Sequence, residues 1–265
     1  MKIAVLESLG INKTKWDQCV SPFLKQGHEI VSFERETSEE ILIQNAKDAD
    51  AVIIANMPLS GNVIRNCEKL KFIDVAFTGV DHVDLAAAKE RGIAVSNASG
   101  YSNEAVAELT ISMMLALLRN LKAVEEKCRE GSTKDGLIGR ELKGKTVGIV
   151  GTGKIGTRTA QLCRAFGCEI LGTRRNQDKE KEDFITYVPL DELLEKSDIV
   201  TLHCPLTEET RGLINQEKIG LMKNGAILIN AARGPVVEEE ALAQALNEGK
   251  LGGAGIDVFD VEPPL

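Results

Sequence analysis

The sequence predicts an α/β protein with two doubly wound, mostly parallel sheets, and two observations carry this prediction. Short apolar runs of strand length alternate with helical patterns along both halves of the 265 residues, as in proteins with helices on the faces of a parallel sheet. A glycine-rich turn at residues 151–156 also lies between an apolar run and a helical pattern, which is the order of a βαβ unit. At this length we expect two domains, residues 1–100 and residues 101–265.

The first hundred residues contain five predicted strands with helical patterns between them. The apolar runs are residues 2–6, 28–33, 51–55, 71–76 and 93–95, and the clearest helical patterns are residues 39–47 and 85–91. Such alternation implies a mostly parallel sheet with helices on its faces. We therefore predict a flavodoxin-like domain over residues 1–100.

A long helical pattern follows, from Ser102 to about Glu130, with Ser102 or Asn103 as its predicted cap. Its first half is apolar around more than one face, through Val106, Leu109, Ile111, Met113, Met114, Leu115, Leu117 and Leu118. A helix that is apolar around most of its girth must bury more than one face. We expect it to pack between domains or against a second subunit, which favours a homodimer.

The second half resumes the alternation after a polar, glycine-containing link at residues 131–141. Its predicted strands are residues 145–150, 169–173, 198–203, 226–230 and 253–258, and its predicted helices are residues 157–166, 191–196, 215–222 and 238–248. These five strands, in this order, predict the six-stranded doubly wound sheet of the Rossmann type. Ligands of such sheets bind beyond the carboxyl ends of the strands.

The turn at residues 151–156 has the glycine spacing of a dinucleotide-binding loop. Gly151 permits the sharp strand-to-helix turn, Gly153 lets backbone N–H groups approach a pyrophosphate, and Gly156 lets the helix pack close to the strand. The unpaired N–H groups of the helix N-terminus then stabilise the anion. The alternative is a purely structural glycine turn. We expect the cofactor to bind Gly151, Thr152, Gly153, Lys154, Ile155 and Gly156.

The residues after the predicted strand 169–173 indicate which dinucleotide binds. An Asp or Glu at that strand end would bind the adenosine ribose 2′-hydroxyl and repel a 2′-phosphate, but the sequence continues with Arg174 and Arg175. Two guanidinium groups can form forked, charge-assisted bonds to a phosphate. The sequence therefore favours NADP(H) over NAD(H). The alternative is a solvated basic loop that also includes Lys179 and Lys181.

Composition favours a protein that acts on small molecules. A net charge of −8 and a pI near 5.2 disfavour nucleic-acid and anionic-membrane partners. No apolar run is long enough to span a bilayer, and the chain opens directly into a predicted strand rather than a signal peptide. We expect a cytoplasmic protein. The cysteines lack CxxC and metal-ligand spacing, so we expect no metal and reduced thiols at Cys19, Cys67, Cys128, Cys163, Cys168 and Cys204.

Ordered motifs over residues 71–265 resemble the D-isomer-specific 2-hydroxyacid dehydrogenase family, in particular its glyoxylate or hydroxypyruvate reductases and phosphoglycerate dehydrogenases. The motifs are FTGVDHVDL, NASGYSNEAVAE, VGIVGTGKIG, TLHCPLTEET, NAARGPVVEEEAL and GIDVFDVEPP. Members of this family reversibly reduce 2-oxo acids to D-2-hydroxy acids with a nicotinamide cofactor. The resemblance implies the same reaction here, with a small 2-oxo or 2-hydroxy acid as substrate.

The resemblance also implies roles for residues near the strand ends of the second domain. Arg233 is implied as the substrate arginine, because its guanidinium can hold a carboxylate or polarise the adjacent carbonyl. The alternative is an ion pair with Glu238 or Glu239. Asp257 is implied to lie near the nicotinamide, and Glu262 to hydrogen-bond the catalytic histidine and raise its affinity for a proton. Without the resemblance, these two acidic residues indicate only an acidic exit loop.

Further site residues follow from the same resemblance. The loop after the predicted strand 71–76 is implied to hold the substrate carboxylate on its backbone N–H groups, through Ala76, Phe77, Thr78 and Gly79. Phe77 stands where many relatives have glycine, which leaves the identity of the substrate open. The residues implied to border the cofactor are His203, Cys204, Pro205, Thr210 and Ala231.

The family places a catalytic histidine beyond the position of Glu262, and the sequence ends at Leu265. Loss of a positioned general acid typically costs about 10²–10⁴ in rate, so we expect poor turnover from these 265 residues alone. Three interpretations stay open. The chain is a dehydrogenase that continues beyond these residues, a non-catalytic NADP(H)-binding sensor or interaction module, or an altered enzyme in which His82, a lysine or water supplies the proton.

Overall fold

The computed structural model describes residues 1–175 and 182–261. The chain divides into two compact units, Met1–Tyr101 (unit 1) and Ser102–Leu265 (unit 2). Each unit contains one sheet whose strands all pair in parallel. The predicted fold class, α/β with two parallel sheets, is therefore confirmed.

Unit 1 is a five-stranded sheet in the order β2-β1-β3-β4-β5, which is the order of flavodoxin-like folds. Its central strand β3 is apolar and almost wholly buried, as expected where helices cover both faces of a parallel sheet. Its elements are β1 Lys2–Val5, α1 Lys13–Lys25, β2 Glu29–Ser32, α2 Glu39–Ala46, β3 Ala51–Ile54, α3 Gly61–Asn66, β4 Phe72–Val75, α4 Leu85–Glu90 and β5 Ala94–Asn97.

Unit 2 is a six-stranded sheet in the order β11-β10-β9-β6-β7-β8. The strands β9, β6 and β7 are neighbours, so their carboxyl ends lie side by side at one edge of the sheet. The elements are α5 Asn103–Leu118, α6 Leu121–Arg129, β6 Thr146–Val150, α7 Lys154–Ala165, β7 Glu169–Thr173, β8 Thr186–Tyr187, α8 Leu190–Lys196, β9 Ile199–Leu202, α9 Gln216–Leu221, β10 Ala226–Asn230, a 3₁₀ turn Gly234–Val236, α10 Glu239–Asn247 and β11 Leu251–Ile256.

Three elements are absent from the sequence prediction, namely α1, α3 and β8. Helix α1 has no buried residue and contains Pro22. Its apolar residues Trp16, Cys19, Val20, Phe23 and Leu24 nevertheless recur at helical spacing, so the pattern was visible in the sequence and was missed. Helix α3 has six residues and β8 has two. Both are too short to show the hydrophobic periodicity of a helix or a strand in the sequence. The predicted helix at residues 157–166 also begins earlier, at Lys154.

The prediction of one helix over residues 102–130 is wrong, because the chain breaks between α5 and α6. Asn120 lies between the two helices with φ of 52°, in the left-handed region. Its side-chain amide donates a hydrogen bond to the backbone oxygen of Ile138, at 3.2 Å. Asparagine tolerates this backbone conformation better than other non-glycine residues, so the break is encoded by one residue inside a continuing helical pattern.

Helix α5 packs on α7 and on strands β10 and β11 of its own unit. A methyl group added to Gly253 would lie 3.2 Å from the Leu117 side chain, and one added to Gly255 would lie 3.0 Å from Met113. Some of the apolar side chains that were expected to pack against another domain or a second subunit therefore pack against β11 of the same unit. Leu109, on the same helix, has 38% of its surface exposed.

No helix within residues 1–175 and 182–261 has both the length and the apolar character that a membrane span requires.

The left-handed conformation at Asn120 gives a stability prediction. We expect Asn120→Ala to be less stable than Asn120→Gly by about 1 kcal/mol, because Cβ is disfavoured at positive φ. Both variants lose the hydrogen bond to Ile138, so the glycine variant is the matched control. Urea unfolding measures the difference, and equal free energies of unfolding for the two variants would contradict the prediction.

Candidate cofactor-binding site

A cavity of about 470 Å³ lies in unit 2 where β6, β7 and β9 end, within the size range of small-molecule sites. Most of the residues predicted to bind the cofactor line it. They are Gly151, Thr152, Gly153, Arg174, Arg175, His203, Cys204, Pro205 and Thr210. The wall also includes Thr207 and Glu209, for which the sequence predicts no role.

The glycine turn is packed on one side and open on the other. A methyl group added to Gly151 would lie 2.8 Å from the backbone nitrogen of Cys204, and one added to Gly156 would lie 2.1 Å from the backbone oxygen of Gly151. A methyl group added to Gly153 would meet no atom within 4 Å. The first and third glycines therefore permit close packing, whereas the second leaves space for a ligand beside the backbone.

Helix α7 begins immediately after this open glycine, with Gly153 as its N-cap. Gly153 has no side chain that could cap the first turn, and that turn contains no acidic residue. Its first N–H groups and the positive end of the helix dipole are therefore not neutralised by the cap. This is the arrangement that binds a phosphate group at a helix N-terminus.

Some buried polar atoms in the cavity wall have no hydrogen-bond partner within the described ranges, among them Oγ1 of Thr152 and Nδ1 of His203. An unsatisfied buried polar atom costs about 1–3 kcal/mol, and a ligand with hydroxyl or phosphate groups would offer partners for both. Together with the open side of Gly153, these atoms fit a dinucleotide.

His203 is neutral at physiological pH. Burial lowers the pKa of its imidazole from 6.5 to about 4, because the charged form is poorly solvated there. Its Nε2 lies 3.1 Å from Oγ1 of Thr201. A neutral ring beside the cavity contributes hydrogen bonds but no charge.

The two arginines after β7 have different surroundings. The guanidinium carbon of Arg174 lies 4.7 Å from the ring centroid of Tyr187, in a cation–π contact. Arg175 has 80% of its side chain exposed, and its Nη1 lies 3.6 Å from Oε2 of Glu209. Tyr187 belongs to the two-residue strand β8, so sequence patterns gave no indication that it would orient Arg174.

The loop after β9 is shaped by hydroxyl groups. The Thr210 hydroxyl donates to the backbone oxygen of Pro205 at 2.7 Å and accepts from the backbone N–H of Thr207 at 2.8 Å. The Thr207 hydroxyl donates to Oε2 of Glu209 at 2.7 Å, and this bond holds the pKa of Glu209 below its usual value. Thr210 therefore orders the loop, and Thr207 orients the carboxylate.

Other predicted site residues lie outside this cavity. Lys154 lines an adjoining hollow that shares Thr152, Gly153 and Arg174 with the cavity, and Ile155 lies in the first turn of α7. Ala231 follows β10, and the backbone N–H of Asp257 donates to Asn230 at 3.0 Å. Glu262, Lys179 and Lys181 lie outside the described residues.

Arg233 follows β10, and its backbone is fixed by neighbouring groups. The Asn230 side-chain amide donates to the Arg233 backbone oxygen at 2.9 Å, and Nη1 of Arg233 donates to the Ala232 backbone oxygen at 2.7 Å. Glu239, one of the two alternative ion-pair partners, accepts a hydrogen bond from the backbone N–H of Asp260 at 2.9 Å.

In unit 1, the predicted carboxylate loop follows β4. The Asn97 side-chain amide donates to the backbone oxygen of Thr78 at 2.5 Å, and the backbone N–H of Ala76 donates to Ile54 at 2.7 Å. The Phe77 ring has 40% of its surface exposed and meets the Tyr101 ring edge-on, with centroids 6.2 Å apart. The loop is therefore anchored by its backbone, while Phe77 stays outside the core of unit 1.

The low pKa of His203 gives a prediction about pH. Between pH 6.5 and about 4 the unfolded chain binds a proton at this residue that the folded chain does not bind. The free energy of unfolding therefore falls as the pH decreases through this window, by at most about 1.4 kcal/mol per pH unit, and is insensitive to His203 above it.

Urea unfolding at pH 7 and pH 5 measures this effect. We expect His203→Asn to reduce the loss of stability between the two pH values, whereas His28→Asn in unit 1 serves as the control. An unchanged pH dependence in His203→Asn would contradict the assignment.

Comparison with known proteins identifies the family. A sequence model described as D-isomer specific 2-hydroxyacid dehydrogenase, NAD binding domain, matches residues 111–265. A glyoxylate reductase of Korarchaeum cryptofilum is 39% identical over 238 residues, which cover 87% of this chain and 72% of that protein.

Two solved structures of similar fold contain nicotinamide cofactors. An acyclic imino acid reductase in complex with NADPH and D-Arg has a TM-score of 0.91 and 29% identity, covering 100% of this chain and 85% of its own. An NAD-dependent formate dehydrogenase from Staphylococcus aureus in complex with NAD has a TM-score of 0.89 and 31% identity, covering 100% and 83%. With the glycine turn, the motif order and these matches in agreement, the chain belongs to the D-isomer-specific 2-hydroxyacid dehydrogenase family of NAD-dependent enzymes.

Proposed function

We propose that the protein interconverts a small 2-oxo acid and the corresponding D-2-hydroxy acid, with a nicotinamide dinucleotide as the redox partner. The observation that carries the proposal is the cavity at the ends of β6, β7 and β9, where an uncapped helix N-terminus and an open glycine meet two arginines. When bound, the dinucleotide accepts or supplies the hydride. The residues of this chain bind the cofactor and the substrate and stabilise the charge that develops during the reaction.

The glycine turn and the first turn of α7 bind the pyrophosphate through backbone N–H groups. The open side of Gly153 admits the phosphate, and the absence of an acidic residue from the first turn of α7 leaves the helix dipole unopposed. Thr152 and His203 offer the hydroxyl and the neutral ring nitrogen that have no partner in the described part of the chain. His203 orients the ligand without adding charge.

We propose NADP(H) as the preferred cofactor. Arg174 and Arg175 both line the cavity at the end of β7, the strand end where an acidic residue would repel a 2′-phosphate. The contact with Tyr187 holds Arg174 in place, so less side-chain entropy is lost when the guanidinium binds a phosphate. The family match is to an NAD-binding domain, and NAD(H) is the alternative.

For the substrate, we propose that Arg233 binds the carboxylate or the carbonyl oxygen of the 2-oxo acid. A guanidinium there stabilises the negative charge that develops on this oxygen during reduction. In unit 1 we propose that the backbone N–H groups of residues 76–79 bind the carboxylate, with Phe77 limiting the size of the substrate. Ala231 and Asp257 are proposed to border the nicotinamide, and Glu262 to support a catalytic histidine.

Substitution of Arg233 tests the substrate role. We expect Arg233→Ala to lower kcat/KM for glyoxylate, hydroxypyruvate or pyruvate by about 10²–10³, because a group that stabilises transition-state charge is lost. The Kd for NADPH should not change. Arg129→Ala, which removes an arginine from the exposed ion pair with Glu125, is the control.

The measurements are NADPH oxidation with each 2-oxo acid and cofactor titration by fluorescence. Equal loss of NADPH binding and turnover in Arg233→Ala would refute the substrate role. Tight NADPH binding by the unaltered protein without turnover of any 2-oxo acid would instead support a non-catalytic binding module.

Substitution of the two arginines tests the cofactor preference. We expect Arg174→Asp combined with Arg175→Ala to shift the ratio of NADPH to NADH affinity toward NADH by about ten- to a hundredfold, since each charge-assisted hydrogen bond contributes about 1.5–3 kcal/mol. Arg164→Ala is the matched control, because Arg164 makes a similar cation–π contact with Phe184 but does not line the cavity. An unchanged ratio would mean that the two arginines form a solvated loop.

A further inference from the structure

Glu209 is an acidic residue in the wall of the candidate cofactor cavity, opposite in charge to the two arginines proposed to bind a phosphate. It belongs to residues 203–210, the β9 exit loop, whereas Arg175 follows β7. Strand β6 separates β9 from β7 in the sheet, so the ends of these two strands lie about 10 Å apart. The ion pair at 3.6 Å between Arg175 and Glu209 therefore connects loops from two non-adjacent strands.

The position of this pair coincides with the adenosine end of the proposed cofactor. In doubly wound folds the group that distinguishes a ribose 2′-hydroxyl from a 2′-phosphate lies at the end of the second strand of the βαβ unit, which is β7 here. The acidic residue usual at that strand end is replaced by Arg174. The structure supplies a carboxylate to the same region from the β9 exit loop instead.

The Glu209 carboxylate is oriented but weakly held by its ionic partner. The Thr207 hydroxyl fixes Oε2 at 2.7 Å, while the side chains of Arg175 and Glu209 are 80% and 69% exposed. Ion pairs this exposed to solvent contribute little to stability, so a phosphate can replace the carboxylate as the partner of Arg175. The carboxylate then lies beside a phosphate of like charge, which weakens the binding of that phosphate.

We propose that Glu209 is a specificity-determining residue that opposes Arg174 and Arg175 by weakening the binding of 2′-phosphorylated cofactors. Its carboxylate competes with the 2′-phosphate for Arg175 and accepts a hydrogen bond from the 2′-hydroxyl of a cofactor that lacks this phosphate. The one carboxylate thus reduces, without abolishing, the preference for NADP(H) proposed from the two guanidinium groups. This inference rests on the proposed nicotinamide cofactor and names the residue that tunes its selection.

The test compares the binding of NADPH, NADH, adenosine 2′,5′-bisphosphate and 5′-AMP to the intact chain by titration calorimetry. We expect Glu209→Gln to bind NADPH and the bisphosphate about three- to tenfold more tightly at low salt, because a like charge has been removed near the 2′-phosphate. Affinity for NADH and 5′-AMP should stay the same or fall. The gain for the phosphorylated ligands should shrink as salt is raised, because exposed charges are screened.

Three further variants make the result specific. Glu208→Gln removes the same charge from the adjacent residue, which does not line the cavity, and should leave all four affinities unchanged. Glu209→Asp keeps the charge and should resemble the unaltered protein. In an Arg175→Ala background, Glu209→Gln should give a smaller gain, because the competition for that guanidinium has been removed.

Failure of this inference can be distinguished from failure of the proposed function. If the arginine substitutions shift the NADPH to NADH ratio but Glu209→Gln changes neither affinity, only the role of Glu209 is overturned. An equal gain in affinity for the phosphorylated ligands from Glu208→Gln would mean that only net charge matters. That result would also overturn the role of Glu209. If none of the four ligands binds the unaltered chain, the proposed cofactor site itself is wrong.

Discussion

The cofactor end of unit 2 depends on one close approach between two backbones. Helix α7 packs so tightly on the preceding turn that a methyl group at Gly156 would lie 2.1 Å from the backbone oxygen of Gly151. This contact aligns the N-terminus of α7 with the ends of β6 and β9. An alanine at Gly156 would separate helix from turn and redirect the N–H groups proposed to bind the pyrophosphate.

Two kinds of charge surround this turn: those fixed by the fold and those carried by side chains further out. The helix N-terminus supplies a fixed positive potential, and burial keeps the His203 ring neutral. The formal charges lie further out, on Arg174, Arg175 and Glu209, and the last two are largely exposed. The part of the site that binds any dinucleotide is thus separate from the part proposed to distinguish one dinucleotide from another.

The sequence was most informative where function demands local geometry. The glycine spacing at residues 151–156 predicted the turn, because the three glycines lie within six consecutive residues and form a local sequence pattern. The alternation of strands and helices predicted both parallel sheets for a similar reason. By contrast, the helix break at Asn120 was missed because the apolar pattern continues past it, and a single left-handed residue leaves no periodic signal.

Residues whose roles depend on distant parts of the chain were also missed. Tyr187 contacts Arg174 from a strand of two residues, and Glu209 reaches Arg175 from a loop that is 34 positions later in the chain. No spacing in the sequence predicts either of these contacts. The TEET run in residues 207–210 was a visible acidic signal after a strand, but only the folded chain shows which carboxylate lines the cavity.

The exposure of Arg175 and Glu209 has an evolutionary consequence. Because surface positions tolerate substitution with little change in the free energy of unfolding, the residues proposed to select the coenzyme can be substituted with little effect on the stability of the fold. The buried glycine contacts have no such freedom. Under this proposal, a few substitutions at exposed positions are enough to change the preferred coenzyme during evolution. The glycine turn proposed to bind the nucleotide stays the same.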